Sequence, residues 1–459
     1  MFTKTWRSTV LIAGETMLLV AAVAVGAYIR LGSDSWFLLW EGWGVLRVLL
    51  VMTVCQVCLH YADLYDLTTI SDRRDLIVRL FQALGASSLI LAWVYFWFPD
   101  WVIGRGVFFI SAILVVSLVV VWRLTFAWLT NRVGPRERLL MVGTTPAAVE
   151  LVRELFERRQ ELGVEIVGFI DPDPAKVGTA VLNPGVIGAI EDIPAIVSAR
   201  HVDRVVVSLA DARGRLPMEK LLGLKLSGTS FDDVATVYEE YTGKIALENL
   251  RPSWFIFSAG FRISSAQKRL KRLCDVVLSL IGLLAGAPLM LLTAIAVRLS
   301  SPGPILYSQT RVGQYERPFT IYKFRTMCAN AEAGIGAVWA RPNDDRITAV
   351  GTLLRRTRLD ELPQFWNVLR GDMSFVGPRP ERPEFVESLT VDIPFYGQRH
   401  VVKPGLTGWA QIRYPYGSSA ADALQKLQYD LFYVKHLSLA LDLFILFETA
   451  KTVALRKGC

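Results

Sequence analysis

Asp360 and Glu361 are adjacent carboxylates in a stretch of chain crowded with arginine and lysine. Lys323 and Arg325 precede them, Arg355 and Arg358 stand just upstream, and Arg379 follows between Pro378 and Pro380. Cations gathered in this way suit a polyanionic, phosphorylated substrate, because guanidinium forks donate paired hydrogen bonds to phosphate oxygens. The flanking prolines keep Arg379 in rigid, extended backbone, which suits a fixed phosphate ligand. Taken alone, Asp360-Glu361 is also what the first turn of an ordinary helix carries, and Pro363 fits a helix start equally well. Arg355-Arg356 by itself would be a solvated or membrane-facing patch. The acidic pair gains its meaning from its company.

The elements around these residues are those of a membrane protein with soluble portions. Of 459 residues, 52% are hydrophobic and 20% charged, and the apolar excess lies mostly before Asn131, with a second block near residue 280. Four apolar stretches, Val10–Ile29, Val45–Leu64, Leu76–Phe98 and Val107–Leu129, each have the roughly 20 residues needed to cross a bilayer. Lys4, Arg7, Arg73, Arg74, Arg79, Arg132, Arg136 and Arg138 flank one side, while Asp34, Glu41 and Asp100 lie in the other loops. The positive-inside rule then places both ends of a four-helix bundle, residues 1–132, in the cytoplasm. Trp36, Trp40, Trp93, Trp97 and Trp101 sit near the expected interfaces. No small-residue cleavage site follows the first apolar run, so it is expected to be retained. The net charge of +8 fits anionic lipid or a phosphorylated substrate, and no nucleic-acid module is found. Cys55 and Cys58 form a CxxC inside an apolar run without a second pair, which reads as packing rather than zinc or redox chemistry. Four histidines make a His-based metal site improbable.

From residue 133 to 252 the pattern becomes α/β, with strands expected at Leu139–Gly143, Val164–Asp171 and Arg204–Leu209 and a helix at Ala147–Gln160. This predicts a small Rossmann-like domain. Its first turn, Gly143-Thr144-Thr145-Pro146, has one glycine where the dinucleotide fingerprint needs three, which favours a scaffold over a cofactor site.

A basic stretch, Lys268–Arg272, leads into a fifth apolar block at 273–299. A simple span would leave the Arg-rich remainder outside the cell, against the positive-inside rule. Pro288 lies near its middle and removes an intrahelical hydrogen bond. The residues alone admit either a helix–break–helix returning to the cytoplasmic face or a kinked fifth span.

Six segments in order carry a resemblance: GPILYSQTRVG (303–313), YKFRTM (322–327), LDELPQ (359–364), SFVGPRP (374–380), KPGLTGWAQ (403–411) and YDLFYVKH (429–436). Together they resemble the bacterial sugar transferase family, the polyprenyl-phosphate hexose-1-phosphate transferases. The overall layout is similar to the family's large members, the undecaprenyl-phosphate glucose or galactose phosphotransferases of exopolysaccharide, capsule and O-antigen synthesis. The resemblance implies a mainly α catalytic domain at 262–459, re-entrant at 273–299 with its kink at Pro288, although Ala287 stands where the family often has serine. It implies that Asp360 attacks the β-phosphate of a UDP-sugar, with Glu361 beside it, releasing UMP and leaving a phosphosugar on the carboxylate. Undecaprenyl phosphate then takes the phosphosugar. Mg²⁺ is implied against Asp360, and Lys323, Arg325, Arg355, Arg358 and Arg379 become the phosphate-binding candidates. The location implied is the bacterial inner membrane, with the catalytic domain on the cytoplasmic face.

Three further expectations complete the sequence picture. Trp339, Trp366 and Trp409 are expected in core or interface packing, and the helices at about 421–456 in the headgroup layer among membrane lipids. The Val10–Leu250 portion is expected to organise a homodimer or a partner contact. Two competing functions are a membrane-bound nucleotide-sugar dehydratase or epimerase and a membrane scaffold for polysaccharide assembly. The first needs GxGxxG and YxxxK, neither of which occurs in the chain; the second predicts that the acidic pair is dispensable.

Overall fold

A computed structural model describes residues 6–40, 43–62, 64–65, 73–102, 104–132, 137–157, 162–208, 218–247, 255, 258, 260–261, 264–328, 345–414, 417 and 419–454. They form two compact units that divide between Tyr241 and Thr242. The first holds α1 (Trp6–Leu31), a short α2 (Ser35–Trp40), α3 (Gly44–Tyr61), α4 (Arg73–Trp97) and α5 (Arg105–Arg132). The chain segments of α1, α3, α4 and α5 are long and apolar enough to cross a membrane. Leu19, Val23, Leu59, Leu80, Leu91 and Val119 fill the space between helices. Met17, Leu89, Phe96 and Phe109 instead point outward and are exposed, an apolar exterior that hydrocarbon tolerates and water does not. Cys55 and Cys58 are buried, and the Cys55 thiol lies 3.7 Å from the Ser87 hydroxyl.

Sequence inspection passed over one ion pair in this unit. Arg123 on α5 donates to both carboxylate oxygens of Glu15 on α1 and to the Leu64 carbonyl, and its guanidinium lies 5.2 Å from the Tyr65 ring centre. Both side chains are buried. A charge enclosed among apolar helices is tolerated only when paired, so the contact fixes α1 against α5 and against the segment after α3. Glu15→Gln is expected to cost about 3–5 kcal/mol, because it strands the arginine. Joint replacement of Glu15 and Arg123 by leucine should recover most of that loss in thermal unfolding of the detergent-solubilised protein. An unchanged melting midpoint for the single variant would show that the pair does not hold the helices.

The same unit contains a five-stranded sheet: β1 (Glu137–Val142), β2 (Val164–Asp171), β3 (Val186–Ala189), β4 (Arg204–Val207) and β5 (Ser230–Asp233). The strand order is β3-β2-β1-β4-β5, with every pair parallel. The helices of this part are α6 (Pro146–Glu157), α7 (Ile193–Arg200), α8 (Met218–Leu226) and α9 (Val234–Thr242). The strands expected at 139, 164 and 204 are all present. Gly143 ends β1 with φ of 103°, but the turn after it is closed by the protein's own side chains. Thr144 donates to Asp171, Thr145 meets Ser208, and Lys176 lies 3.3 Å from Asp171. Burial pushes the Asp171 carboxyl up, yet its bonds from Thr144, the Asp173 backbone and Lys176 together hold it below the usual range.

The second unit begins its long elements with α10 (Ser265–Ser300), capped by Ser264 and Gln267 bonding each other's backbone N–H. There follow β6 (Leu306–Val312), β7 (Pro318–Phe324), α11 (Ala349–Thr357), a 3₁₀ turn (Leu359–Glu361), α12 (Gln364–Arg370), β8 (Ser374–Val376) and α13 (Pro383–Asp392). The chain closes with β9 (Gly405–Thr407), α14 (Trp409–Arg413), α15 (Ala420–Lys435) and α16 (Leu439–Ala454). Strands β6 and β7 pair antiparallel, and β8 and β9 pair parallel.

Two expectations bear on these elements. The fifth apolar block is helical at every residue from Ser265 to Ser300, with Pro288 inside the helix. A proline forfeits one backbone bond, which the rest of a 36-residue helix carries. Leu284, Leu291, Leu292 and Leu299 are exposed on both sides of Pro288. Second, α15 does not lie in a headgroup layer along its length: residues 427–434 are buried without interruption. Core packing and interfacial amphipathicity share one residue pattern, and here the core claims it. Trp409 is likewise buried, stacked on Phe432 and donating to the Gly243 carbonyl at 2.9 Å. Trp366 is exposed, and Trp339 lies outside the described residues.

Candidate active site

The acidic pair sits on the 3₁₀ turn between α11 and α12. Thr348 caps α11 by accepting from the Gly351 N–H at 2.9 Å. Arg358 ends that helix in the left-handed region, with φ of 59°. This reversal turns the chain so that Asp360 and Glu361 face inward. Asp360 is 7% exposed, a burial that a solvated helix start would not show. Gly351 permits the close approach: a Cβ there would stand 2.0 Å from the Thr326 carbonyl oxygen, just past the end of β7.

Strand β7 supplies the first cation. Asn367 on α12, fully buried, donates to the Thr320 carbonyl at 2.7 Å and accepts from the Tyr322 N–H at 3.1 Å. This locks α12 alongside β7 and brings the Lys323 ammonium to 3.1 Å from Glu361 Oε1. Arg379 reaches the same oxygen at 3.1 Å, and Arg358 stands 3.8 Å from it. Three cations therefore converge on one carboxylate oxygen. Burial pushes the Glu361 carboxyl up, but Lys323, Arg379 and Arg358 outweigh it and hold the group ionised well below the usual range. Burial lowers Lys323, against the pull of Glu361.

Asp360 has the opposite character. Its Oδ1 is buried without a hydrogen-bond partner. Burial first and the Glu361 charge second push its carboxyl up, while Lys323, Arg355 and Arg358 restrain the rise. Two neighbouring acids thus have divided environments: one saturated with cations, the other poorly solvated and uncommitted. An under-solvated carboxylate beside a cation cluster is suited to attack an electrophilic phosphorus.

Of the cations expected at the site, Lys323, Arg358 and Arg379 meet at Glu361. Arg355 donates to the Thr326 hydroxyl at 2.9 Å and acts on Asp360 through its charge. Arg325 turns to the end of α10, donating to Ser301 O at 2.7 Å and Ser301 Oγ at 2.9 Å. It fastens the apolar helix rather than joining the cluster on Glu361.

Sequence inspection missed what holds Arg379. Arg399 donates to the Arg379 carbonyl at 3.0 Å and to Tyr396 OH at 2.7 Å, and pairs with the buried Asp430 at 2.7 Å. Arg311 donates to the Pro380 carbonyl at 3.1 Å. Asp430 stands in YDLFYVKH and Arg311 in GPILYSQTRVG, so both lay within noted segments; nothing marked Arg399. The expected basic flank of α10 also turns inward. Lys271 pairs with Asp442 at 2.7 Å and donates to the Val376 carbonyl, and Arg272 donates to the Val368 and Leu369 carbonyls at 2.6 Å.

A divalent cation beside the pair is compatible with the donor set. Asp360 Oδ1 offers a carboxylate oxygen with no protein partner. No cluster of three or more His, Cys, Asp or Glu side chains occurs among the described residues. Mg²⁺ commonly takes one or two carboxylates and completes its shell with water and substrate phosphate.

The chain is similar to known proteins. A family model described as bacterial sugar transferase matches residues 266–456, and one described as CoA-binding domain matches 60–215. An Aeromonas hydrophila UDP-N-acetylgalactosamine-undecaprenyl-phosphate N-acetylgalactosaminephosphotransferase is 40% identical over 263 residues, 57% of this chain and 61% of that protein. An Escherichia coli UDP-glucose:undecaprenyl-phosphate glucose-1-phosphate transferase is 35% identical over 335 residues, 71% of this chain and 70% of that protein. A putative undecaprenyl-phosphate N-acetylgalactosaminyl 1-phosphate transferase of Bacillus subtilis is 49% identical over 130 residues, 28% of this chain and 72% of that protein.

Proposed function

The chain belongs to the bacterial sugar transferase family, and from that premise we propose that it moves a sugar-1-phosphate from a UDP-sugar to undecaprenyl phosphate through a covalent aspartyl intermediate. The observation that carries this reading is the division of labour within the pair: a buried Asp360 with an unpartnered oxygen, next to a Glu361 bound by Lys323 and Arg379. An Asp360 oxygen forms a bond to the sugar-bearing phosphorus, and the bond from that phosphorus to the bridging oxygen breaks. The electron pair leaves with UMP. An oxygen of the lipid phosphate next attacks the same phosphorus and restores the free carboxylate. Lys323, Arg358 and Arg379, held in place by Glu361, screen the repulsion between carboxylate and diphosphate. Bound Mg²⁺ at Asp360 would neutralise further phosphate charge. Two half-reactions let two bulky substrates use one site in turn.

Membrane re-entry by α10 is part of the proposal. Its early residues Lys271, Arg272 and Asp275 bond to α12, β8 and α16, while Val297 packs with Phe324 and Leu354 and Ser301 is held by Arg325. A helix whose two ends rest on one compact unit is hard to place straight across a bilayer with that unit on one side. A bend at Pro288 would dip its exposed leucines into hydrocarbon and return the chain to the cytoplasmic face, where nucleotide sugars are made.

The decisive experiment incubates the purified protein with a UDP-sugar and no lipid acceptor. UMP release should stop at about one equivalent per enzyme, with the sugar-phosphate mass on the peptide containing Asp360. Neither release nor adduct, in protein that transfers sugar phosphate once undecaprenyl phosphate is supplied, would replace the covalent route with direct transfer.

A further inference from the structure

One buried polar atom near the pair has no partner in the fold. Gln364 opens α12 and is 3% exposed, yet its side-chain Nε2 has no hydrogen-bond partner. A buried amide donor left unmade costs free energy, and native proteins seldom retain one without a use.

Its position indicates the use. Asn367, three residues on and therefore on the same helix face, bonds to β7 at Thr320 and Tyr322. Towards the acidic pair, Lys323 of β7 meets Glu361. Gln364 falls between these two contacts, along the seam leading to the pair. Asp360 Oδ1 lies four residues earlier, also buried and also unpartnered. A donor and an acceptor so close in the chain, both orphaned, would normally bond each other. These two do not, and each therefore keeps a hydrogen-bonding capacity that a group from outside the fold can meet.

We propose that Gln364 is a substrate-contacting residue whose side-chain N–H donates to a non-bridging oxygen of the phosphoryl group that reacts at Asp360. The chemistry selects an anion: an amide N–H cannot ligate a cation, but it matches a phosphoryl oxygen. Charge on the equatorial oxygens changes during phosphoryl transfer, and a fixed donor there assists the transition state without reorganising. The inference rests on the phosphoryl-transfer reading above but not on the covalent adduct, since direct transfer beside Asp360 would place the same oxygens there.

The test uses full-length protein in lipid nanodiscs, UDP-sugar and undecaprenyl phosphate, with UMP release as the readout. Turnover by the unaltered protein establishes the transferase reading independently of Gln364. Gln364→Met keeps the length and removes the donor; kcat should fall about 100-fold with KM changed less than about threefold. Because Nε2 makes no protein hydrogen bond, removing this donor should leave the melting temperature unchanged or higher. Gln364→Glu, which places a third carboxylate at the pair, should be at least as inactive. A Gln364→Met protein that keeps kcat within about threefold overturns the proposal. So does one that loses activity only in step with a lowered melting temperature, for then the amide is structural.

Discussion

Asp360→Asn protein should remain in the membrane, stay folded and transfer no detectable sugar phosphate. The amide oxygen is a poor nucleophile and cannot become the leaving carboxylate of the second half-reaction, so both steps fail together. Loss of the attacking group typically costs four or more orders of magnitude, so residual turnover should be below about one part in 10⁴. Stability should move the other way. A carboxyl whose folded pKa is raised favours the folded state at low pH, and that advantage disappears as pH rises through the folded value. At neutral pH the ionised Asp360 is therefore a burden, which the neutral amide removes. The expected result is an inactive protein with an unchanged or higher melting temperature. Near-normal UMP release would overturn the mechanism, and inactivity with a collapsed melting curve would mean that Asp360 is structural.

That opposition between activity and stability also explains how legible the site was. Asp360, Glu361, Lys323 and Arg379 stood out because reactive and phosphate-binding groups cluster in motifs whose residue types are unusual. Their supports are ordinary residues made important by distance. Arg399 and Asp430 are 31 positions apart, and Glu15 and Arg123 are 108 apart. Neither pairing has a local periodicity that would announce it. Apolar patterning showed where α1, α3, α4 and α5 lie, because length and hydrophobicity suffice for a helix in lipid. The same patterning could not tell α15 in a protein core from a helix at a membrane surface, since both bury one class of side chain. Arg325 lies away from the cluster on Glu361 for a related reason. It follows Lys323 by two positions, yet the chain leaves β7 at Phe324 and its side chain is drawn to Ser301.

Glu361→Gln provides the sharper test of how the pair is organised. Lys323 and Arg379 would lose the negative charge they share, and the ammonium has Asp360 as the next carboxylate acting on it. An ion pair formed there would withdraw the nucleophile into a salt bridge, so kcat should drop at least about 100-fold while UDP-sugar binding weakens far less. The stability cost should stay within about 3 kcal/mol, because Arg379 is 38% exposed and remains hydrated when its partner is lost. Glu361 has a lowered folded pKa, so its contribution is present above its unfolded value and lost as acid protonates it. The cost of the substitution should therefore shrink on acidification towards pH 4 and below. Residual activity should reveal the coupling directly. Glu361 is one of the two causes that raise Asp360, so removing its charge should move the acid limb of the rate profile to lower pH. An acid limb that stays in place would mean the two carboxylates do not sense each other, and Glu361 would then serve only to position its three cations.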